Sequence, residues 1–300
     1  MLEDLVPTGT PGDTESVEAV LALAARAEAH DGVAPLSEEF LLALRSGGDH
    51  LALGPGAGHL VSRAQDGSVD GVAVRAGDGV EIVVDPAHRR RGVGRALLDA
   101  ARAAVPTSRF WAHGDLPGAR ALAVATGLGA ARELLKLGRS VTAEDAASPE
   151  APGVLTLSDY GDNRDAGLDD WLQLNALAFA DHPEQGRWTT GDLADRVAEP
   201  WFDADLLLLL PRDGARGEPL EASLWLKPQG EVCEIYVVAV HPDSAGRGLG
   251  RAVLVHALGV AARRGFADVE LYVDGGNTAA RRLYERAGFD VRTRDVQYAS

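Results

Sequence analysis

Cysteine occurs once in the 300 residues, at Cys233, and lysine twice, at Lys136 and Lys227. One cysteine excludes an internal disulfide and a multi-cysteine metal site, so no metal is expected. Basic charge is short as well: 29 Lys and Arg face 45 Asp and Glu, for a net charge of −16. Such a balance argues against a nucleic-acid partner, which needs a basic surface. No apolar run reaches the roughly 18 residues of a spanning helix, so no membrane partner is expected. The opening stretch MLEDLVPTGTPGDTE lacks the basic and apolar parts of a secretion signal, and a cytoplasmic location is the expectation. Two lysines against 27 arginines (29 minus 2), with abundant Ala and Gly, read as coding bias, so scarcity alone marks neither lysine as functional.

What is present is a repeat. DPAHRRRGVGRALL at 85–98 is echoed by HPDSAGRGLGRAVL at 241–254, and Gly248 minus Gly92 gives an offset of 156. Upstream, VEIVVDP parallels IYVVAVHP. Downstream, GARALAVATGLGAAR parallels AARRLYERAGFDVR at an offset of 161 (288 minus 127). A period this long means duplicated domains rather than a solenoid. The Ala-, Ser-, Pro- and acid-rich stretch VTAEDAASPEAPG reads as a linker at 141–153, between domains at 1–140 and 154–300.

The second half is the clearer one. Residues 154–160 read as a strand, and Leu168, Trp171, Leu172 and Phe179 share a helical face. DLLLLL, LEASLWL and EVCEIYVVAV read as strands. A helix of about sixteen residues follows the Gly turn, with Ala252, Leu254, Val255 and Leu258 inward. DVELYV is a strand, NTAARRLYERAG a helix closed by Gly288, and FDVRTRDVQY a last strand. The order is mixed α/β.

A strand that ends at HP and a helix that begins inside GRGLGRAV place free backbone N–H groups at a helix N-terminus, where an anion is stabilised. Glycine lets the backbone approach phosphate closely. The pattern is not a P-loop, since no GK[ST] follows, nor the dinucleotide fingerprint, since the spacing is GxGxG. The candidate cradles are Ala245, Gly246, Arg247, Gly248, Leu249, Gly250 and Arg251, and Arg89, Arg90, Arg91, Gly92, Val93, Gly94 and Arg95. The plainer alternative is an ordinary Gly-rich strand-to-helix turn.

The strand–RRRGVG–helix arrangement, followed by strand–NTAARRLYERAGF, resembles the GCN5-related N-acetyltransferases. Their loop reads R/Q-x-x-G-x-G/A. Arg89 to Gly94 fits fully, whereas Ala245 stands where Arg or Gln is usual. The resemblance implies two tandem acetyltransferase domains, each a mixed, mostly antiparallel sheet flanked by helices, with acetyl-CoA as donor. It places the donor against Val238, Ala239 and Val240, the second cradle, Asn277, Ala280 and Arg282. Ile82, Val83, Val84 and the first cradle are the counterparts in the first half.

The tandem layout, NALAFADHPEQGRWT and EIYVVAVHP also resemble the branch that acetylates the cysteinyl amine of a cysteine–glucosamine–inositol pseudodisaccharide by direct transfer. That implies a small thiol as partner, with Glu38, Glu184, Lys227, Glu234 and Tyr272 against the acceptor. Glu234 is then the candidate base, or else an ordinary strand carboxylate. Tyr284 is the candidate acid, or else a core aromatic. Asn277 is also a plausible N-cap. Cys233 alternates to the face opposite Glu234, which disfavours an acyl-cysteine route. The first half has Leu116 for Asn277 and Ala123 for Tyr284, with Asp78 opposite Glu234 only if no gap intervenes. The second half is therefore expected to catalyse, and the first to be non-catalytic, binding acetyl-CoA structurally or shaping the acceptor cleft. A monomer is expected, since the two halves can cover each other's surfaces. The competing readings are a tandem acetyltransferase for an aminoglycoside or peptide amine, and a silent acyl-CoA-binding regulator.

Overall fold

The structure is a computed structural model and describes residues 2–5, 11–46, 59–148, 150–180 and 185–300. The described elements are, in chain order, β1 (Leu2–Leu5), α1 (Pro11–Asp31), α2 (Glu38–Ser46), β2 (His59–Arg63), β3 (Val69–Ala76), β4 (Gly79–Val84), α3 (Val93–Ala104), β5 (Arg109–Ala112), α4 (Pro117–Ala125) and β6 (Gly129–Ser140). There follow α5 (Ala143–Ala147), β7 (Leu155–Thr156), α6 (Arg164–Ala178), α7 (Thr190–Val197), β8 (Leu207–Pro211), β9 (Leu220–Gln229), β10 (Val232–Val240), α8 (Leu249–Arg263), β11 (Asp268–Asp274), α9 (Thr278–Arg286) and β12 (Asp290–Ala299).

Two compact units result. The first holds Met1–Leu135, Asp274–Gly276 and Thr293–Ser300, the second Lys136–Val273 and Asn277–Arg292. The last residues of each repeat's final strand therefore belong to the unit of the other repeat.

In the first unit β1 to β4 pair antiparallel and β5 joins β4 in parallel. The end of β12 closes the far side of β5, with Val296, Gln297 and Tyr298 opposite Ala112, Trp111 and Phe110. Both faces are covered. Val20, Leu23, Ala27, Phe40 and Leu44 from α1 and α2 pack on Val72, Val74 and Val83. Leu97, Leu98 and Ala101 from α3 pack on Ala73, Val80 and Phe110. Cover on two faces buries every residue of β3, Asp70 and Arg75 included.

The second unit repeats this order: β7 to β10 antiparallel, β11 parallel to β10. The Leu run of β8 is wholly buried. Trp171 of α6 and Trp225 of β9 are fully buried and meet edge to face at 5.2 Å, an arrangement worth about 0.5–1.5 kcal/mol beyond burial. The strand expected at 154–160 is only Leu155–Thr156. The Thr156 side chain takes the Asp159 N–H and the Asp159 carboxylate takes the Thr156 N–H, a reciprocal cap that turns the chain into a 3-10 segment. Residues 141–153 hold α5, capped by Thr142 and Asp145 in the same way. Arg139 is paired with Asp145 at 2.6 Å. Among the described residues no helix is long and apolar enough to cross a membrane.

Candidate active site

Each parallel pair parts before its strands end. β10 and β11 are in register from Val232↔Asp268 to Ile235↔Leu271, yet β10 runs on to Val240. β4 and β5 stop at Glu81↔Trp111, while β4 runs on to Val84. The divergence leaves one edge of Val238, Ala239 and Val240, and of Ile82, Val83 and Val84, outside the sheet ladder. A buried backbone N–H needs a partner, so this edge is where a ligand carbonyl can be accepted.

Each divergence leads into a Gly turn. Gly248 and Gly92 precede their helices with φ of 82° and 93°. The intrahelical ladder starts with Ala252 N–H to Gly248 O and Ala96 N–H to Gly92 O, so the donors of Leu249, Gly250 and Arg251, and of Val93, Gly94 and Arg95, have no acceptor within the helix. A Cβ placed on Gly246, Gly248 or Gly92 would meet nothing within 4 Å. The cradle is open where a pyrophosphate would lie, and its donors and dipole suit one. A Cβ on Gly250 would touch Val240 at 3.4 Å and Leu283 at 3.6 Å, and one on Gly94 would touch Val84 at 3.4 Å and Leu122 at 3.6 Å. The two turns share one architecture at the offsets 156 and 161.

Their side chains differ. Arg89, the better match to the family loop, gives its guanidinium to Asp31 at 2.7 and 2.6 Å and to the Val84 carbonyl. That ion pair ties the turn to α1, and the cation is already neutralised. Arg95 pairs with Asp99 at 2.7 Å. Arg90, with φ 63°, and Arg91 are exposed. In the second cradle Arg247 is held by Glu221, which also accepts from Ser244. Ala245 and Arg251 are exposed. What both turns offer an anion is therefore mainly their backbone N–H groups.

Glu234 lies on β10 as the cross-strand partner of Lys227 and the parallel neighbour of Glu270. Its carboxylate accepts from Gln229 at 2.6 Å. Burial raises its pKa above the ordinary carboxylate value, opposed by Lys227 and Lys136 and assisted by Glu270. The β9–β10 register slips by one between Ile235 and Val237, a β-bulge, which re-aims the strand just past Glu234. Cys233 is fully buried on the other face, and burial with the neighbouring Glu234 pushes its thiol up to about 12. It is no thiolate at neutral pH, and a covalent route through it is closed.

Tyr284 sits on α9, one residue beyond the Leu283 that abuts the start of α8. It is 7% exposed and meets Phe289 edge to face at 5.7 Å. Burial pushes its phenol up to about 12, which keeps the proton in place. Asn277 caps α9, its Oδ1 accepting from the Ala280 N–H at 3.0 Å, and Arg282 is exposed on that helix. Lys227 Nζ lies 5.1 Å and 5.2 Å from the ring centres of Trp201 and Tyr236. Tyr272 is half exposed, with Lys136 5.8 Å from its ring centre. Glu38 opens α2 in the first unit. Glu184 and His182 lie outside the described residues.

The bulge corrects the alignment of the two halves. Val84 faces Gly71 as Val240 faces Ala222, and 240 minus 84 is 156. Before the bulge, Gly79 faces Ala76 as Glu234 faces Lys227, and 234 minus 79 is 155. The extra residue of β10 puts Gly79, not Asp78, at the place of Glu234. Asp78 is spent on an exposed ion pair with Arg109 at 3.1 Å.

The first unit keeps a cavity of about 490 Å³ between its cradle, Trp111, His113, Ala123 and Tyr298. Ala123 stands where the second unit has Tyr284, and the phenol that lines this cavity, Tyr298, donates its hydrogen bond to the Asp115 carboxylate at 2.7 Å. His113 on its wall is clamped between Glu81 at 2.7 Å and Asp295 at 3.1 Å. Desolvation pulls its pKa down, but the two carboxylates outweigh it and hold the value at about 9. With both ring nitrogens engaged, it has no free base. Sequence reasoning missed this clamp, because Asp295 is contributed by the far end of the chain.

A profile of the acetyltransferase (GNAT) family matches residues 171–289, and a second GNAT domain profile matches residues 55–128. The chain belongs to this family and is an N-acetyltransferase with two tandem domains. It is 52% identical over 290 residues to the mycothiol acetyltransferase of Clavibacter michiganensis, which covers 94% of this chain and 90% of that protein. Among solved structures, a GCN5-related N-acetyltransferase from Sphaerobacter thermophilus superposes with TM-score 0.68 at 22% identity, covering 99% of this chain and 94% of that one. A tandem GNAT protein from the clavulanic acid biosynthesis pathway superposes with TM-score 0.61 at 20% identity, covering 99% and 98%. These two support the fold.

Proposed function

We propose that the second unit transfers an acetyl group from acetyl-CoA to the cysteinyl amine of the cysteine–glucosamine–inositol pseudodisaccharide, giving mycothiol and CoA. The observation that carries this reading is the half-buried carboxylate of Glu234 on the strand that borders the open cradle, where the first unit has Gly79. The 52% identity to a mycothiol acetyltransferase supports the choice of acceptor.

The residues fit the donor. The N–H groups of Leu249, Gly250 and Arg251 would hold the pyrophosphate, and the free edge of Val238 to Val240 the pantetheine arm and the thioester oxygen. An α-amine with a pKa of about 7.7–8.0 must lose a proton to become nucleophilic, and Glu234 takes it, directly or through water. The nitrogen bonds to the acyl carbon, the C–S bond breaks, the sulfur receives the Tyr284 proton, and the surplus proton of the new amide nitrogen returns to the phenolate through water. A phenol at about 12 is a weak acid toward a thiol of about 8.5, so it acts through proximity to the leaving sulfur. Lys227, Tyr272, Glu38 and Glu184 are the proposed acceptor contacts. The first unit keeps a donor-shaped cavity without a proton acceptor and is assigned no chemistry.

The test is to incubate the protein with acetyl-CoA and the desacetyl thiol and to follow CoA release. Turnover with that thiol is expected. Turnover only with other amines would replace the acceptor, and coenzyme binding without any turnover would replace the reaction.

A further inference from the structure

The only two lysines of the chain both act on Glu234. Lys227 is its cross-strand partner on β9. Lys136 arrives on β6, with its Nζ 2.5 Å from Glu270, the residue in parallel register with Glu234. Two carboxylates on adjacent positions of neighbouring strands repel, and each makes the other harder to ionise. Position 270 therefore needs a cation if position 234 is to accept a proton near neutral pH.

The first unit shows the arrangement without that need. Arg109 lies at the counterpart of Glu270 (270 minus 109 is 161), in register with Gly79. Gln297 lies at the counterpart of Lys136 (297 minus 136 is 161), with its Oε1 3.5 Å from Arg109. Where the strand carries glycine, its neighbours are a cation and a neutral amide. Where it carries Glu234, they are a carboxylate and a lysine.

We propose that Lys136 and Glu270 form a positioning pair that sets the ionisation of Glu234, with the first repeat supplying the cation through its last strand. Lys136 touches neither donor nor acceptor in this role. It neutralises Glu270, which would otherwise hold the proton on Glu234. The groups that act on Glu234 are Lys227 and Gln229 from β9, Glu270 from β11 and Lys136 from β6, with the rings of Tyr236 and Tyr272 beside Lys227 and Lys136. Lys136 is itself held protonated: desolvation opposes its charge, and Glu270, Tyr272 and Glu234 more than compensate.

The inference rests on Glu234 being the base, and the pH dependence of kcat/KM for CoA release separates the two ideas. The acid limb of Lys136→Met should move up by about one pH unit, the shift a nearby opposite charge imposes. The plateau above the limb should stay within a few-fold of the unaltered protein. Lys136→Arg should restore the limb. Glu270→Gln alone should move it down, and added to Lys136→Met it should take back part of the upward shift. A uniform loss of rate with an unmoved limb in both Lys136→Met and Glu270→Gln would overturn the proposal. If Glu234→Gln still shows the same limb, the base assignment falls instead. A readout without turnover exists because only two lysines are present. In protein carrying 13C-lysine, the Lys136 signal, identified by its loss in Lys136→Arg, should titrate at lower pH in Glu270→Gln. An unmoved titration would count against the pair.

Discussion

The two Gly turns make the same shape from different residues. At the position that needs a left-handed backbone the second uses Gly246, with φ 77°, and the first uses Arg90, with φ 63°. At the helix start both use glycine. Beyond the turns the likeness fades: Asn277 caps α9, while Leu116 gives α4 no side-chain cap. The buried phenol of Tyr284 on α9 corresponds to Ala123 on α4. β10 carries a bulge and a carboxylate, whereas β4 has an unbroken register and a glycine. A duplicated fold can thus keep the backbone shape of its turns while its side chains diverge, because the turn depends on main chain and the proposed proton transfers on Glu234 and Tyr284, which only the second unit carries.

The sharpest way to break this contrast is kinetic. Glu234→Gln should lower kcat/KM by roughly 10²–10⁴-fold, the usual worth of a general base, while Asp78→Asn should leave the rate unchanged. Equal losses in steady-state assays would mean that the halves share the work. Tyr284→Phe should lower kcat by about 10²-fold with little change in the KM for acetyl-CoA. A large rise in KM alone would make the phenol a packing group.

Stability supplies the next contrast. The His113 clamp belongs to the first unit. Its pKa is raised from 6.5 to about 9, so its contribution is complete below pH 6.5 and is lost as pH rises through 9. The shift corresponds to about 3 kcal/mol. Urea unfolding across this range should show the first unit weakening with pH, and His113→Gln should remove that slope. A slope that survives the substitution would place the titrating group elsewhere. The smallest effect is at the turn. Arg90→Gly should raise the unfolding free energy by about 1 kcal/mol, since glycine adopts positive φ without the Cβ clash. A loss would mean that the Arg90 side chain contributes more than its backbone strain costs.

The duplication, the α/β class, both Gly turns and the strand that bears Glu234 were legible in the sequence. Local spacing encodes them: glycines at fixed offsets, apolar periods, an Asn before a helix. Three features were not. The bulge adds one residue to β10, and a gapless comparison of VEIVVDP with IYVVAVHP hides it. The Lys136–Glu270 pair depends on which strand lies beside β11, and the repeat pattern does not reveal that the first half's last strand goes there. Arg89 matched the loop pattern best, yet it serves Asp31, since a one-dimensional motif carries no record of where a guanidinium turns.

The exchanged strand ends bear on how such a gene can change. Residues 136–140 belong to the second unit and 293–300 to the first. Deleting the first copy at the obvious junction would strip the second unit of residues 136–140, Lys136 among them. Reciprocal borrowing of this kind makes each half structurally indispensable to the other, and a chain so arranged is expected to keep its doubled length even where one pocket drifts.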